Sequence, residues 1–148
     1  MQEEGCGSLF LRRGLLVVCG LLALLVTVSA GERLRLLIET DAGGDPDDEQ
    51  SLVRFLLYAN EWDVEGIIAN RPEARSGENR NRARTGLEIV RRLLDAYGEC
   101  WTNLVQHDPR YPTRQHLWER TVAGYNFTTT GVDAILRAVD RPDLRPRW

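Results

Sequence analysis

The chain has 148 residues, a hydrophobic fraction of 43% and a formal net charge of −3. This length allows at most one domain. Every basic residue is an arginine, and the arginines are scattered rather than gathered on one face, so we expect no nucleic-acid partner.

The N-terminal segment has the pattern of an export signal. Arg12 and Arg13 precede the uncharged apolar run of residues 14–28, and Ser29 and Ala30 then supply the small residues of a cleavage site. The sequence therefore predicts a secretory signal peptide over residues 1–30. An uncleaved membrane anchor is the alternative, because the 18 residues from Gly14 to Gly31 carry no charge and a spanning helix needs about 20 apolar residues. We expect an exported protein, periplasmic or secreted, that meets a membrane only through this segment.

Residues 32–148 begin with a strand–helix–strand pattern. The apolar run Leu34–Thr40 predicts a strand, helical spacing of apolar residues predicts a helix over 47–60, and Val64–Ala69 predicts a second strand. Two strands joined by a helix over so short a distance predict a parallel βαβ unit with a right-handed crossover. The expected fold class is α/β with a parallel sheet.

The rest of the chain is predicted to be mostly helical. After a polar loop over 70–81, the pattern predicts helices over 83–97 (ended by Gly98), 113–122 and 131–139. Residues 141–148 look like the approach to a third strand, and no strand follows. Two convincing strands make a thin core, since small domains bury proportionally less surface. We therefore expect a truncated α/β domain.

The segment between the first strand and the first helix is strongly acidic. Six acids fall within eleven positions: Glu39, Asp41, Asp45, Asp47, Asp48 and Glu49. Such crowding is repulsive unless a cation or water offsets it, and hard ions such as Ca²⁺ bind several carboxylate oxygens. In open parallel sheets, ligands bind beyond the carboxyl ends of the strands, where this loop lies. The pattern predicts a divalent-metal and ligand site.

Helix capping explains part of the same pattern. Asp45 suits the N-cap and Pro46 the first helical position, and the acids that follow favour the positive end of the helix dipole. Capping leaves Asp41 and the Gly43–Gly44 pair unexplained, and both interpretations can hold together. Asn70, just after the second strand, shares the carboxyl-end face and is a candidate ligand-binding residue, with an ordinary turn asparagine as the alternative.

These residues resemble a known signature. Glu39-Thr40-Asp41 and Asp47-Asp48 are similar to the two halves of the N-terminal motif of the nucleoside-hydrolase superfamily, with two extra residues between them. Residues 43–51 more specifically resemble the exported bacterial branch described as cellulose-binding proteins with a nucleoside-hydrolase-like domain. Further matches occur at residues 52–54, 65–69, 111–113 and 145–148. The similarity covers the front part of that Rossmann-like domain.

The resemblance implies roles for individual residues. Asp41 would be a calcium ligand and the general base that activates water, and Asp48 a second calcium ligand. Asp47 would bind ligand hydroxyls or help to hold the metal. Asp45 lies in the inserted stretch and is counted with the metal ligands. The family's late metal-ligating aspartate and its leaving-group acid have no match in this chain.

Two functions are compatible with this pattern. One is a calcium-dependent hydrolase of N-glycosyl (ribosyl-type) or related glycosidic bonds, in which a loop aspartate activates water. The other is a non-catalytic, calcium-dependent carbohydrate-binding module or an inactive fragment. Both functions use the metal and hydroxyl-binding carboxylates, so the sequence of the loop does not distinguish the hydrolase from the binding module. The expected ligand is a nucleoside or carbohydrate, and the sequence does not fix the oligomeric state.

Overall fold

The computed structural model describes residues 32–73, 85–125, 129–146 and 148, so the predicted signal peptide lies outside the described residues. The elements are β1 (Leu34–Thr40), α1 (Pro46–Leu57), β2 (Trp62–Ala69), α2 (Gly86–His107), α3 (Arg114–Glu119), β3 (Thr121–Ala123) and α4 (Thr130–Asp140). A short 3₁₀ helix, Ala59–Glu61, leads from α1 into β2. None of the described helices is long and apolar enough to cross a membrane.

The sheet of the described chain has three parallel strands in the order β1-β2-β3. β1 and β2 pair from Leu34↔Trp62 to Thr40↔Ala69, with one irregularity after Leu36. β3 pairs with the last residues of β2. The predicted α/β class and the parallel βαβ unit are therefore confirmed.

The hydrophobic core lies between the sheet and the helices α1 and α2. Its buried members are Ala42, Leu52, Leu56, Val64, Ile67, Ala69, Ile89, Val90, Leu94, Tyr97 and Leu117. Burial of one such large apolar side chain contributes about 1.5–3 kcal/mol. On the opposite face of the sheet, α4 packs closely, because Gly131 brings its backbone against Ile68 of β2. Helices on both faces hold the strands rigidly, so the strand ends are fixed in space.

A third strand stands where the sequence predicted the end of a helix. The predicted helix over 113–122 is wrong at its C-terminal end, because α3 stops at Glu119 and Thr121–Ala123 joins the sheet. Ile67 N donates to Arg120 O (3.0 Å), and Thr121 Oγ1 donates to Leu117 O (2.8 Å). A three-residue strand is too short to show a period of its own.

Gly98 lies inside a helix and does not end it. The predicted helix end at residue 97 is wrong, since α2 continues to His107. A Cβ atom on Gly98 would lie 2.8 Å from Arg114 Cδ. The glycine therefore lets the Arg114 side chain of α3 lie against α2.

Residues near the C-terminus run beside the outer edge of β1. Arg35 N donates to Pro146 O (3.3 Å), Trp148 N to Arg35 O (2.9 Å) and Leu37 N to Trp148 O (2.8 Å). These bonds follow the slanted pattern of a parallel pair. The sequence predicted that residues 141–148 approach a third strand, whereas in the structure the third strand is Thr121–Ala123 and Pro146 and Trp148 bond to β1.

A buried ion-pair network lies beneath this segment. The Arg35 side chain is 0% exposed, and its Nη2 donates to Glu65 Oε2 (2.7 Å) and to Ala138 O (2.6 Å). Arg145 joins Asp63 (2.7 Å) and Asp143 (2.6 Å). The bonds to Arg145 hold the pKa of the Asp143 carboxyl well below its usual range. The network ties the C-terminal segment to β1, β2 and α4.

Candidate functional site

The carboxyl ends of the three parallel strands lie side by side, and polar side chains gather there. We call this part of the sheet the carboxyl-end edge. Asn70 N donates to Thr40 O (2.8 Å), and Gly124 N donates to Ala69 O (2.8 Å), so the backbone continues in register past each strand end. The Asn70 side chain donates from Nδ2 to Glu39 Oε2 (3.0 Å). The structure thus places Asn70 on the same edge as the acidic loop, as predicted. Its role in ligand binding stays a prediction.

Gly124 makes room for the Asn70 side chain. A Cβ atom on Gly124 would overlap Asn70 Oδ1 and would lie 2.6 Å from Ile68 Cγ2. The carboxamide is therefore held with its nitrogen towards Glu39 and its oxygen over Gly124. The sequence did not indicate Gly124, because it follows the strand that was not predicted.

The turn after β1 exposes Asp41 and buries the residues behind it. Ala42 N donates to Thr40 Oγ1 (3.2 Å), and Gly44 N donates to Asp41 O (2.9 Å). Gly43 has a φ of 97°, in the left-handed region that favours glycine. Ala42 and Gly44 are buried, whereas Asp41 is exposed. The turn holds the Asp41 main chain firmly while its carboxylate faces solvent.

The predicted helix cap is confirmed. Asp45 is the extended N-cap residue of α1, Pro46 opens the helix, and Asp45 N donates to Asp48 Oδ2 (3.0 Å). The Asp48 carboxylate therefore stabilises the helix start. Asp47 is exposed in the first turn. Capping therefore explains the positions of Asp45 and Asp48. It does not explain Asp41 and Asp47, whose carboxylates lie at the surface.

The fold also brings an arginine to the acidic loop. The Nη1 atom of Arg71 lies 3.0 Å from the point that a Cβ atom on Gly44 would occupy, and Asp48 Oδ2 lies 2.9 Å from the same point. The Arg71 carbonyl accepts from Gly86 N (3.0 Å), which joins this loop to the start of α2. No basic residue occurs in the sequence around the loop itself. Arg71 was not predicted, although it directly follows Asn70 and the same crossover brings both residues to the loop.

The fit of this loop to a calcium ion is incomplete. The carboxylates of Asp41, Asp45, Asp47 and Asp48 have the oxygen chemistry that calcium takes. However, among the residues that the structure describes, no three side chains of Asp, Glu, His or Cys come together to hold a metal. Calcium binding by these four residues stays a prediction, and the loop geometry does not by itself supply a ligand set.

Comparison with known proteins agrees with this geometry. The chain matches, over residues 35–146, the family described as the nucleoside hydrolase-like domain of the cellulose-binding protein Sde182. The chain belongs to this family. A search of curated proteins found no match.

A solved relative of this nucleoside hydrolase-like chain has a similar fold. It is described as a nucleoside hydrolase-related hypothetical protein from Saccharophagus degradans that is associated with carbohydrate metabolism. The two share 36% sequence identity and superpose with a TM-score of 0.64 over 78% of this chain. The chain spans 29% of the length of that relative. The resemblance drawn from the acidic loop is therefore confirmed.

The arrangement suits recognition of hydroxyl groups. Exposed carboxylates at Glu39 and Asp41 accept hydrogen bonds only, whereas Asn70 both donates and accepts, and Arg71 donates. A sugar hydroxyl needs both kinds of partner. The strand ends hold these groups on rigid backbone, so little ordering is required when a ligand binds.

Proposed function

We propose that the carboxyl-end edge of the sheet binds a carbohydrate through its hydroxyl groups. The observation that carries this proposal is the Asn70–Glu39 hydrogen bond of 3.0 Å across the ends of two adjacent strands, beside the exposed carboxylate of Asp41. Adjacent hydroxyls of a sugar can donate to the carboxylates and accept from the carboxamide or from Arg71. Convergent polar groups on fixed elements are the usual source of orientation and specificity in a ligand site.

The comparisons support the same ligand class. The family is described as cellulose-binding, and the solved relative is associated with carbohydrate metabolism. Both descriptions concern those proteins, and they favour a glycan over a nucleic acid or a peptide as the partner of this chain. Residues on the edge then serve as follows: Asp41 and Glu39 accept from hydroxyls, and Asn70 orients the ring.

Hydrolysis of an N-glycosyl or related glycosidic bond is the second candidate function. The position of Asp41 favours it, because its exposed carboxylate directly follows β1 and could remove a proton from a water molecule beside a bound sugar. In both candidates, Asp47 at the start of α1 is a further acceptor for ligand hydroxyls. A bound calcium ion would orient those hydroxyls and acidify the attacking water.

Binding can be tested by isothermal titration calorimetry of the whole chain with cello-oligosaccharides and with nucleosides, each with Ca²⁺ or with EDTA. We expect saturable binding of a sugar. Asp41→Asn should weaken it by at least about tenfold, as loss of a hydrogen bond to a charged group implies, and Asn70→Ala by about twofold to tenfold, as loss of a neutral bond implies. Asp140→Asn, an exposed aspartate at the end of α4, is the matched control and should bind like the unaltered protein.

The outcomes separate the two candidates. Release of free base or reducing sugar that Asp41→Asn abolishes would establish the hydrolase. Binding without turnover would establish the binding module. If Asp41→Asn and Asn70→Ala bind the sugar as tightly as the unaltered protein, both candidate functions are contradicted. If the affinity is the same in Ca²⁺ and in EDTA, calcium has no part in binding under either function.

A further inference from the structure

A cavity of about 290 Å³ lies away from the candidate carbohydrate edge. It is bounded by the end of α3, the residue that precedes β3 and the last turns of α4. Its lining residues are Glu65, Glu119, Arg120, Ala134, Arg137, Ala138 and Arg141. Arg120 stands at the amino end of β3, whereas the carbohydrate edge lies at the carboxyl ends of the strands. The volume is near the lower limit of small-molecule pockets.

One acid of the cavity, Glu65, is already neutralised. Its side chain is 7% exposed and makes two parallel bonds with the buried guanidinium of Arg35. Arg141 Nη1 also donates to Glu65 Oε1 (2.8 Å). Arg141 also lies 3.9 Å from Asp63 and 3.8 Å from Asp143, so the charges at this wall of the cavity balance one another.

Two further arginines of the cavity, Arg120 and Arg137, have no carboxylate partner among the described residues. Arg120 Nη1 donates to a neutral carbonyl, His116 O (3.2 Å). Within the described part of the chain, neither Arg120 nor Arg137 forms an ion pair. The remaining acid, Glu119, accepts from Gln115 Nε2 (2.8 Å). The cavity thus carries an excess of positive charge.

Two carbonyl groups at the end of α4 are already hydrogen-bonded within the protein. Carbonyl groups at a helix C-terminus carry partial negative charge and repel anions. Here Ala138 O accepts from Arg35 Nη2 (2.6 Å), and Arg137 O accepts from Arg141 N (3.2 Å). Both carbonyls are engaged by groups of the protein, one of them by a guanidinium.

We propose that this cavity binds a small molecule through an oxyanion, a phosphate or carboxylate group held between Arg120 and Arg137. A guanidinium presents a planar fork of donors that matches either group, and such charge-assisted bonds are about twice as strong as neutral ones. Arg141, fixed by Glu65, forms the back of the site. The anion site is separate from the carbohydrate edge and does not depend on it.

Calorimetric titration of the whole chain with inorganic phosphate and, separately, with malonate tests the proposal and distinguishes the two anions. The ionic strength is held constant with NaCl, because general attraction to a basic surface is screened by salt. We expect saturable binding of one anion per chain. Arg120→Gln and Arg137→Gln should each weaken it by at least about tenfold, since each removes a bond to a charged group.

Arg110→Gln is the matched control. Arg110 is also an exposed arginine, but it pairs with Asp108 (2.6 Å) and lies outside the cavity. Arg137 is exposed on α4, so its replacement should leave the circular dichroism spectrum unchanged. The proposal is overturned if neither anion saturates, if both cavity variants bind as well as the unaltered chain, or if Arg110→Gln loses as much affinity as they do.

Discussion

The carboxamide oxygen of Asn70 occupies the space that a side chain on Gly124 would need. Gly124→Ala should therefore push the carboxamide away from Glu39 and weaken sugar binding by about tenfold, the cost of one hydrogen bond to a charged group. The φ of Gly124 lies outside the left-handed region, so the backbone itself tolerates alanine. Calorimetric titration with cello-oligosaccharides and with nucleosides measures the effect.

Gly98→Ala provides the comparison for this substitution. Gly98 lies in the interior of α2, and a methyl there would lie 2.8 Å from Arg114 Cδ, so the Arg114 side chain, which pairs with Asp95, must shift. This cost opposes the gain of about 1 kcal/mol that alanine brings to a helix interior, so we expect unchanged sugar binding and only a small change in the midpoint of thermal unfolding. Equal loss of affinity in both variants would mean that Gly124 has no special relation to the site.

Asn70→Asp should replace the hydrogen bond between residue 70 and Glu39 with electrostatic repulsion. The new carboxylate would face Glu39, which at present accepts from Asn70 Nδ2 at 3.0 Å, and like charges at this separation repel. We expect weaker sugar binding at pH 7 in calorimetric titration. Asn103→Asp, at an exposed position on α2, should bind the sugar like the unaltered protein.

Leu94→Ala should destabilise the domain strongly. Leu94 is 0% exposed in the core between α2 and the sheet, and a leucine-to-alanine change in such a core costs about 2–5 kcal/mol. Urea denaturation followed by circular dichroism measures the loss. Leu136→Ala, where 51% of the residue is exposed on α4, should stay within about 0.5 kcal/mol. Similar losses in the two variants would contradict the core described above.

Stability should fall as the pH is lowered through the range in which His116 titrates. Burial lowers the pKa of His116 below its usual 6.5, and the neighbouring positive charge of Arg120 lowers it further; Asp63 opposes this shift and Arg33 adds to it. The unfolded chain therefore takes up the proton first as the pH falls, so the stabilisation is complete above pH 6.5 and is lost below it.

The urea midpoint at pH 7.5 and at pH 5.5 tests this dependence. We expect a lower midpoint at pH 5.5 and a smaller difference between the two pH values in His116→Gln. An equal difference in both proteins would mean that other groups cause it.

Sequence patterns were sufficient where several signals coincide. The cap at Asp45 combines an N-cap residue with Pro46 and an acidic first turn, and the structure has α1 start there. Alternating strands and a helix predicted a parallel pair, which in turn placed Asn70 beside the acidic loop. The edge of the sheet that carries the candidate site could therefore be located before any coordinates.

Other features depend on contacts between distant segments. Gly98 has the residue type of a helix end, but the approach of Arg114 decides its role. β3 is set by pairing with Ile67–Ala69 and not by its own three residues. Arg71 and Gly124 reach the site only through the crossover and this third strand. Tertiary packing overrode local preference at each of these positions.

The backbone bonds of Pro146 and Trp148 to β1 cover the outer side of that strand, which would otherwise be open to pairing with another strand. With β2 on one side and this segment on the other, β1 has no unpaired row of amides and carbonyls along Arg35–Leu37. In the described part of the chain, the open edge is β3, which is three residues long and follows a charged arginine. Short edges next to charge are a common protection against edge-to-edge aggregation. Among the described residues, a further strand could therefore join the sheet only along this short edge.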